Sequence, residues 1–155
     1  MGRERWRMTV TGTVQGVGFR PFVYRTAVAL SLVGWVRNTP AGVELEVEGA
    51  ADALEAFSMN LERSAPPLAV VESIGRQPVM LQGDAGFAIL ASGNGSIDIQ
   101  VTPDADLCDD CLRELFDPSD RRYRYPFITC TNCGPRYTIV TGIPYDRPRT
   151  TMAGF

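Results

Sequence analysis

Residues 5–10 alternate polar and apolar side chains, with Trp6, Met8 and Val10 on one side of an extended chain and Arg5, Arg7 and Thr9 on the other, which predicts a half-buried strand. Residues 43–48 follow the same rule more strictly, Val43, Leu45 and Val47 against Glu44, Glu46 and Glu48, and the glutamates read as a solvated strand face. Between these strands, Pro21 to about Leu30 is rich in Ala, Val and Phe. A proline suits the first helical position, because its fixed φ fits the turn and its missing N–H breaks no bond there. A helix followed by a short strand over 34–38 is therefore predicted. Ala50, Leu54, Phe57 and Leu61 then recur at the spacing of a helical stripe, which Pro66-Pro67 ends. Further strands are expected over 68–74 and 87–91.

In chain order these elements run β-α-β-β-α-β, with room for one extra strand. That is an α+β, ferredoxin-like arrangement, with helices on one face of an antiparallel sheet. Asn38-Thr39-Pro40-Ala41-Gly42 supplies the turn between the second and third strands. Composition changes after Ala91: Ser92-Gly93-Asn94-Gly95-Ser96 reads as a linker, and a short alternation of Ile97, Ile99 and Val101 follows. The tail is segregated by charge, with seven acids and one arginine over 104–120, then six arginines and one acid over 121–149. We expect a domain over 1–92, a linker over 93–103 and a small module over 104–155. A chain of 155 residues leaves no room for two large domains.

Composition narrows the chemistry. There is no histidine and no lysine, all 15 basic residues being arginine, so a histidine base, a Ser/His/Asp triad and a Schiff-base lysine are excluded. A net charge of −3 gives no global electrostatic reason to expect a nucleic acid partner. Met1-Gly2-Arg3-Glu4-Arg5-Trp6 lacks the apolar run of a secretory signal, and Trp6 stands where a myristoylation signal needs Ser or Thr. With no stretch approaching a membrane span, a soluble cytoplasmic protein is expected.

Gly12-Thr13-Val14-Gln15-Gly16-Val17-Gly18-Phe19-Arg20 joins the first strand to the first helix. Small residues let consecutive N–H groups converge, and the helix start adds a positive dipole end, so the loop can cradle an anion. Arg20 can add paired, charge-assisted hydrogen bonds to phosphate oxygens. Taken alone, the glycines also suit a plain turn, Arg20 a solvated helix-end charge, and Asn38 a turn residue bonding local backbone.

Val10-Thr11-Gly12-Thr13-Val14-Gln15-Gly16-Val17-Gly18-Phe19-Arg20 and Gly34-Trp35-Val36-Arg37-Asn38 with Gly42-Val43-Glu44 resemble the two signatures of the acylphosphatase family. The resemblance implies an acylphosphatase sandwich. Its phosphate-binding residues would be Gln15, Gly16, Val17, Gly18, Phe19 and Arg20, and its catalytic residues Arg20, gripping the phosphate, and Asn38, orienting the attacking water. Ala41 departs from the acid often found before the turn glycine.

Cys108-Asp109-Asp110-Cys111 and Cys130-Thr131-Asn132-Cys133 give C-x2-C-x18-C-x2-C, the spacing of a four-thiolate zinc site. Four thiolates leave no open position on the metal, so such a zinc is structural. Two disulfides, unmetallated core cysteines and an iron–sulfur cluster are the competing readings.

The surrounding residues, from Pro103-Asp104 through Asp120-Arg121-Arg122-Tyr123-Arg124-Tyr125-Pro126-Phe127 to Cys130-Thr131-Asn132-Cys133-Gly134-Pro135-Arg136-Tyr137, look like the first zinc-finger unit of the HypF family, the carbamoyltransferases of nickel–iron hydrogenase maturation. What the resemblance implies is hydrolysis of carbamoyl phosphate at the acylphosphatase-like site. ATP-dependent activation elsewhere in the protein would follow, then transfer to HypE for cyanide ligand synthesis. The ATP-using and transferase domains do not fit in this length, so an N-terminal fragment is expected. Two rivals stand beside this reading. One is a non-catalytic protein- or RNA-binding module, which the Arg121–Tyr125 cluster supports. The other is a free-standing acylphosphatase, which leaves the cysteine tail without a purpose.

Overall fold

The computed structural model describes residues 2–92, 106–128, 130, 141, 147–151, 153 and 154. The expected linker over 93–103, the Ile97, Ile99, Val101 alternation and Cys133 lie outside the described residues. The first region runs β1 (Arg3–Thr13), α1 (Phe19–Ala29), β2 (Val33–Thr39), β3 (Gly42–Ala50), α2 (Ala51–Arg63), β4 (Val70–Val79) and β5 (Phe87–Ile89). The strands form one sheet in the order β4-β1-β3-β2-β5.

The β1–β3 register sets Trp6 opposite Val47, Met8 opposite Leu45 and Val10 opposite Val43, so both alternations deliver their apolar residues to one face. Phe19, Val23 and Ala27 of α1 and Leu54, Phe57 and Leu61 of α2 are buried in the same core as that face. The α+β expectation holds, and β5 fills the room left for one extra strand; one correction is that β5 runs parallel to β2, so the sheet is mixed. The fourth strand also begins at Val70 and extends to Val79.

The first helix starts two residues before Pro21, with Gly18 in the cap position at φ +75°. That left-handed conformation suits glycine. Pro21 still lies in the first turn, where an N–H has no acceptor within the helix, so its ring disrupts nothing.

The second face of β1 and β3 differs most from expectation. Glu46 and Glu48, read as a solvated face, are buried, and so is Arg5. Register explains it, because Arg5 faces Glu48 and Arg7 faces Glu46 across the antiparallel pair. Arg5 donates through Nε to Glu46 Oε2 at 2.7 Å and through Nη1 to Glu48 Oε2 at 3.1 Å and Asp84 Oδ2 at 2.7 Å. Glu48 also accepts from the backbone N–H groups of Gln82 and Gly83, at 2.8 and 3.1 Å. The stretch before β5 is thereby strapped over the charged ladder. Buried charges persist when each is paired and hydrogen-bonded.

In the tail, α3 (Asp109–Phe116) presents Cys111 to a small cluster with Ile128, against which Leu107, Leu115, Tyr125 and Cys130 pack. Arg122, from the basic run, pairs with Glu114, from the acidic run. Among the described residues, no helix is long and apolar enough to cross a membrane.

Candidate functional site

The loop between β1 and α1 is anchored from inside. Val14, Val17 and Phe19 are core residues, so their side chains are committed to packing and only their backbone is available to a ligand. Gly16, at φ +69°, and Gly18 adopt the left-handed region that turns the loop. Phe22 N–H makes the helical bond to Gly18 O at 3.2 Å, so the first-turn N–H groups before it lie outside the helix's own ladder. Gly18, at the cap position, has no side chain with which to cap them. Arg20, half-buried, belongs to this first turn.

Asn38 lies at the end of β2, on the same side as the core residue Val36. It is 1% exposed, and neither Nδ2 nor Oδ1 has a hydrogen-bond partner among the described residues. An unpaired buried amide costs about 1–3 kcal/mol, so native proteins keep few of them. Such a group fits a site that completes its bonding with a water or a substrate.

Gln15 ties the two parts together. Its Nε2 donates to Thr39 O and to Gly42 O, each at 2.7 Å, fastening the glycine loop to the turn that follows Asn38. Gly42 closes that turn at φ +144°, where a Cβ would stand 2.2 Å from Val10 O. Sequence reasoning placed Gln15 among the loop amides and missed this side-chain role. An amide-bearing residue in an anion loop was the only available signal, and it does not name its partners.

In the tail, Cys108 caps α3, its Sγ accepting from Cys111 N–H at 3.5 Å. The Sγ atoms of Cys108, Cys111 and Cys130 all lie within 4.8 Å of one another, Cys108 and Cys130 at 3.5 Å. A disulfide needs about 2.05 Å between sulfurs, so these three are unbridged. Tetrahedral zinc with bonds of about 2.3 Å holds sulfurs about 3.8 Å apart, and the three described sulfurs fit such an ion.

Comparison with known proteins agrees with both regions. The family model "Acylphosphatase" matches residues 6–89, and "HypF finger" matches 107–140. The carbamoyltransferase HypF2 of Cupriavidus necator is 54% identical over 154 residues, covering 97% of this chain and 19% of its own length. An acylphosphatase of Caldivirga maquilingensis is 47% identical over 88 residues, 55% of this chain and 92% of that protein. A crystal structure of full-length HypF in a phosphate- and nucleotide-bound form superposes with a TM-score of 0.89 at 44% identity, over 99% of this chain and 20% of that one. The chain thus spans about a fifth of the length of the HypF relatives it matches. It belongs to the acylphosphatase family, as an acylphosphatase domain joined to a metal-binding finger in the manner of HypF carbamoyltransferases.

Proposed function

We propose that this chain hydrolyses carbamoyl phosphate, and that the carbamate feeds a carbamoyl transfer carried out by the remainder of a HypF protein. HypE would be the acceptor, and cyanide ligand synthesis in the cytoplasm the destination. The working domain is residues 1–92, followed by a linker over 93–103 and a zinc module over 104–155. The observation that carries the reading is Asn38, a buried amide with no internal partner, held beside a glycine loop that opens onto a helix start.

The backbone N–H groups from Gln15 to Arg20 and the Arg20 guanidinium bind the phosphoryl oxygens. Asn38 holds a water in line with phosphorus. The water oxygen forms the new P–O bond as the bond to the acyl oxygen breaks, carbamate leaves with the electron pair, and the water's protons pass to phosphate and solvent. Carbamate is a weakly basic leaving group, so the step needs charge stabilisation and alignment more than a strong base. That accords with a chain that has no histidine.

Cys108, Cys111, Cys130 and Cys133 would hold the structural zinc, which when bound supplies folding energy to a tail with a very small core. The RNA-binding rival is weakened by Arg122, which is spent on Glu114, and by Arg124, which stacks 5.5 Å over Tyr123. The test is phosphate release from carbamoyl phosphate by the purified chain. It is expected for the wild type and lost in Arg20→Ala and Asn38→Ala; equal release by all three overturns the assignment.

A further inference from the structure

We propose that Gln15 is a positioning residue whose side chain sets the aim of Asn38, beyond any contact its own backbone makes with phosphate. The inference rests on the hydrolytic reading above and deepens it.

Both hydrogens of the Gln15 amide are used, one on Thr39 O and one on Gly42 O, at 2.7 Å each. These carbonyls bracket the two-residue turn Pro40-Ala41. Asn38 lies directly before Thr39, and its strand partner Val43 lies directly after Gly42. The two bonds therefore brace the strand end from which the Asn38 side chain projects. Gln15 is 3% exposed, which shields the bonds from competing water. The turn has little other freedom to adjust, since Gly42 packs so closely on Val10 O that a Cβ would meet it.

A second observation separates this from a simple structural staple. Among the described residues, Gln15 Oε1 is buried with no hydrogen-bond partner, as are both polar atoms of Asn38. Three unsatisfied polar atoms thus occur on the two residues joined through one turn. An arrangement built for stability alone would pair them. The loop's grip on phosphate is supported separately, by Val14, Val17 and Phe19 in the core, so loss of the Gln15 bonds should misalign Asn38 while leaving the loop in place.

The test uses the full chain, with carbamoyl phosphate as substrate. Gln15→Met keeps the length of the side chain and removes its donors; Gln15→Glu keeps shape and acceptor and removes the donors while ionised. Misplacement by about 1 Å costs on the order of 10²-fold in rate, so both variants should lower kcat about 10- to 100-fold at pH 7.5 with KM changed less than about twofold. Gln15→Glu should recover activity as its carboxyl protonates and regains a donor. In an Asn38→Ala background, Gln15→Met should cause no further loss, because a residue acting only through Asn38 has nothing left to aim. A wild-type kcat in both variants overturns the proposal, as does a double variant that falls by the product of the two single losses. If Gln15→Met fails to fold, Gln15→Glu alone decides by the same criteria. If Asn38→Ala is unimpaired while Arg20→Ala is inactive, Gln15 has no aim to set and the proposal fails; if both are unimpaired, the hydrolytic reading fails instead, and the two failures are distinguishable.

Discussion

Arg5 Nε lies 2.7 Å from Glu46 Oε2, with both side chains almost wholly removed from water on the sheet face opposite the helices. Arg5 also reaches Glu48 and Asp84, so one guanidinium joins β3 to the stretch that leads into β5. Breaking a buried pair by deleting one partner typically costs about 3–5 kcal/mol, because the other charge stays buried without compensation. Arg5→Ala should lower the unfolding free energy by about that much, read from urea denaturation. An effect below about 0.5 kcal/mol would show that the ladder behaves like an exposed surface pair.

The same ladder predicts an acid response. The Gln82 N–H is the main cause holding the Glu48 carboxyl below its ordinary 4.5, with burial opposing and Gly83 N–H and Arg5 assisting. For Glu46, burial pushes upward, but hydrogen bonds from Arg7 and Arg5 outweigh it and the net shift is down. Between the unfolded and folded values the unfolded chain binds more protons, so stability rises with pH there. The contribution should be complete above about pH 4.5 and decline as pH falls through the depressed values. Glu48→Gln should flatten that decline in a series of urea midpoints taken from pH 6 to pH 3.

Asn38 carries opposite expectations for activity and stability. Removing one preorganised donor costs about 10²–10³ in rate, and Asn38→Ala should lose that much acyl phosphate hydrolysis. Because its amide has no internal partner, the same variant should unfold at a denaturant concentration equal to or above that of the wild type. A clearly destabilised Asn38→Ala would assign the residue a structural role.

Metal removal should act on one region. Chelation is expected to abolish amide protection in Cys108–Cys111 and the rest of α3 while leaving β1 and β3 protected, measured by hydrogen exchange with mass spectrometry. Unchanged protection in α3 would mean that the Cys111–Ile128 cluster folds without a metal.

Elements of the first region were legible because they repeat. Trp6, Met8 and Val10 alternate at the period of a strand, and Leu54, Phe57 and Leu61 at that of a helix, and these enter the core as their period requires, whereas Ala50, predicted to open the helical stripe, ends β3 and is exposed. The paired cysteines were legible because a tight C-x2-C turn brings two sulfurs together locally, as Cys108 and Cys111 show. Asn38 was readable as a motif residue. Its burial follows from sharing a strand face with Val36, which emerges only once that face is known to be the inner one.

What the sequence by itself determined is therefore local: the periods, the glycine turn, the thiol spacing and a chemistry without histidine or lysine. What only the tertiary structure decided is which polar groups meet across the sheet. Arg5 is 43 positions from Glu48 and Gln15 is 27 from Gly42. Strand register and loop packing bring such residues together, and the same alternating pattern would place charges in water if the 80–86 stretch did not cover them.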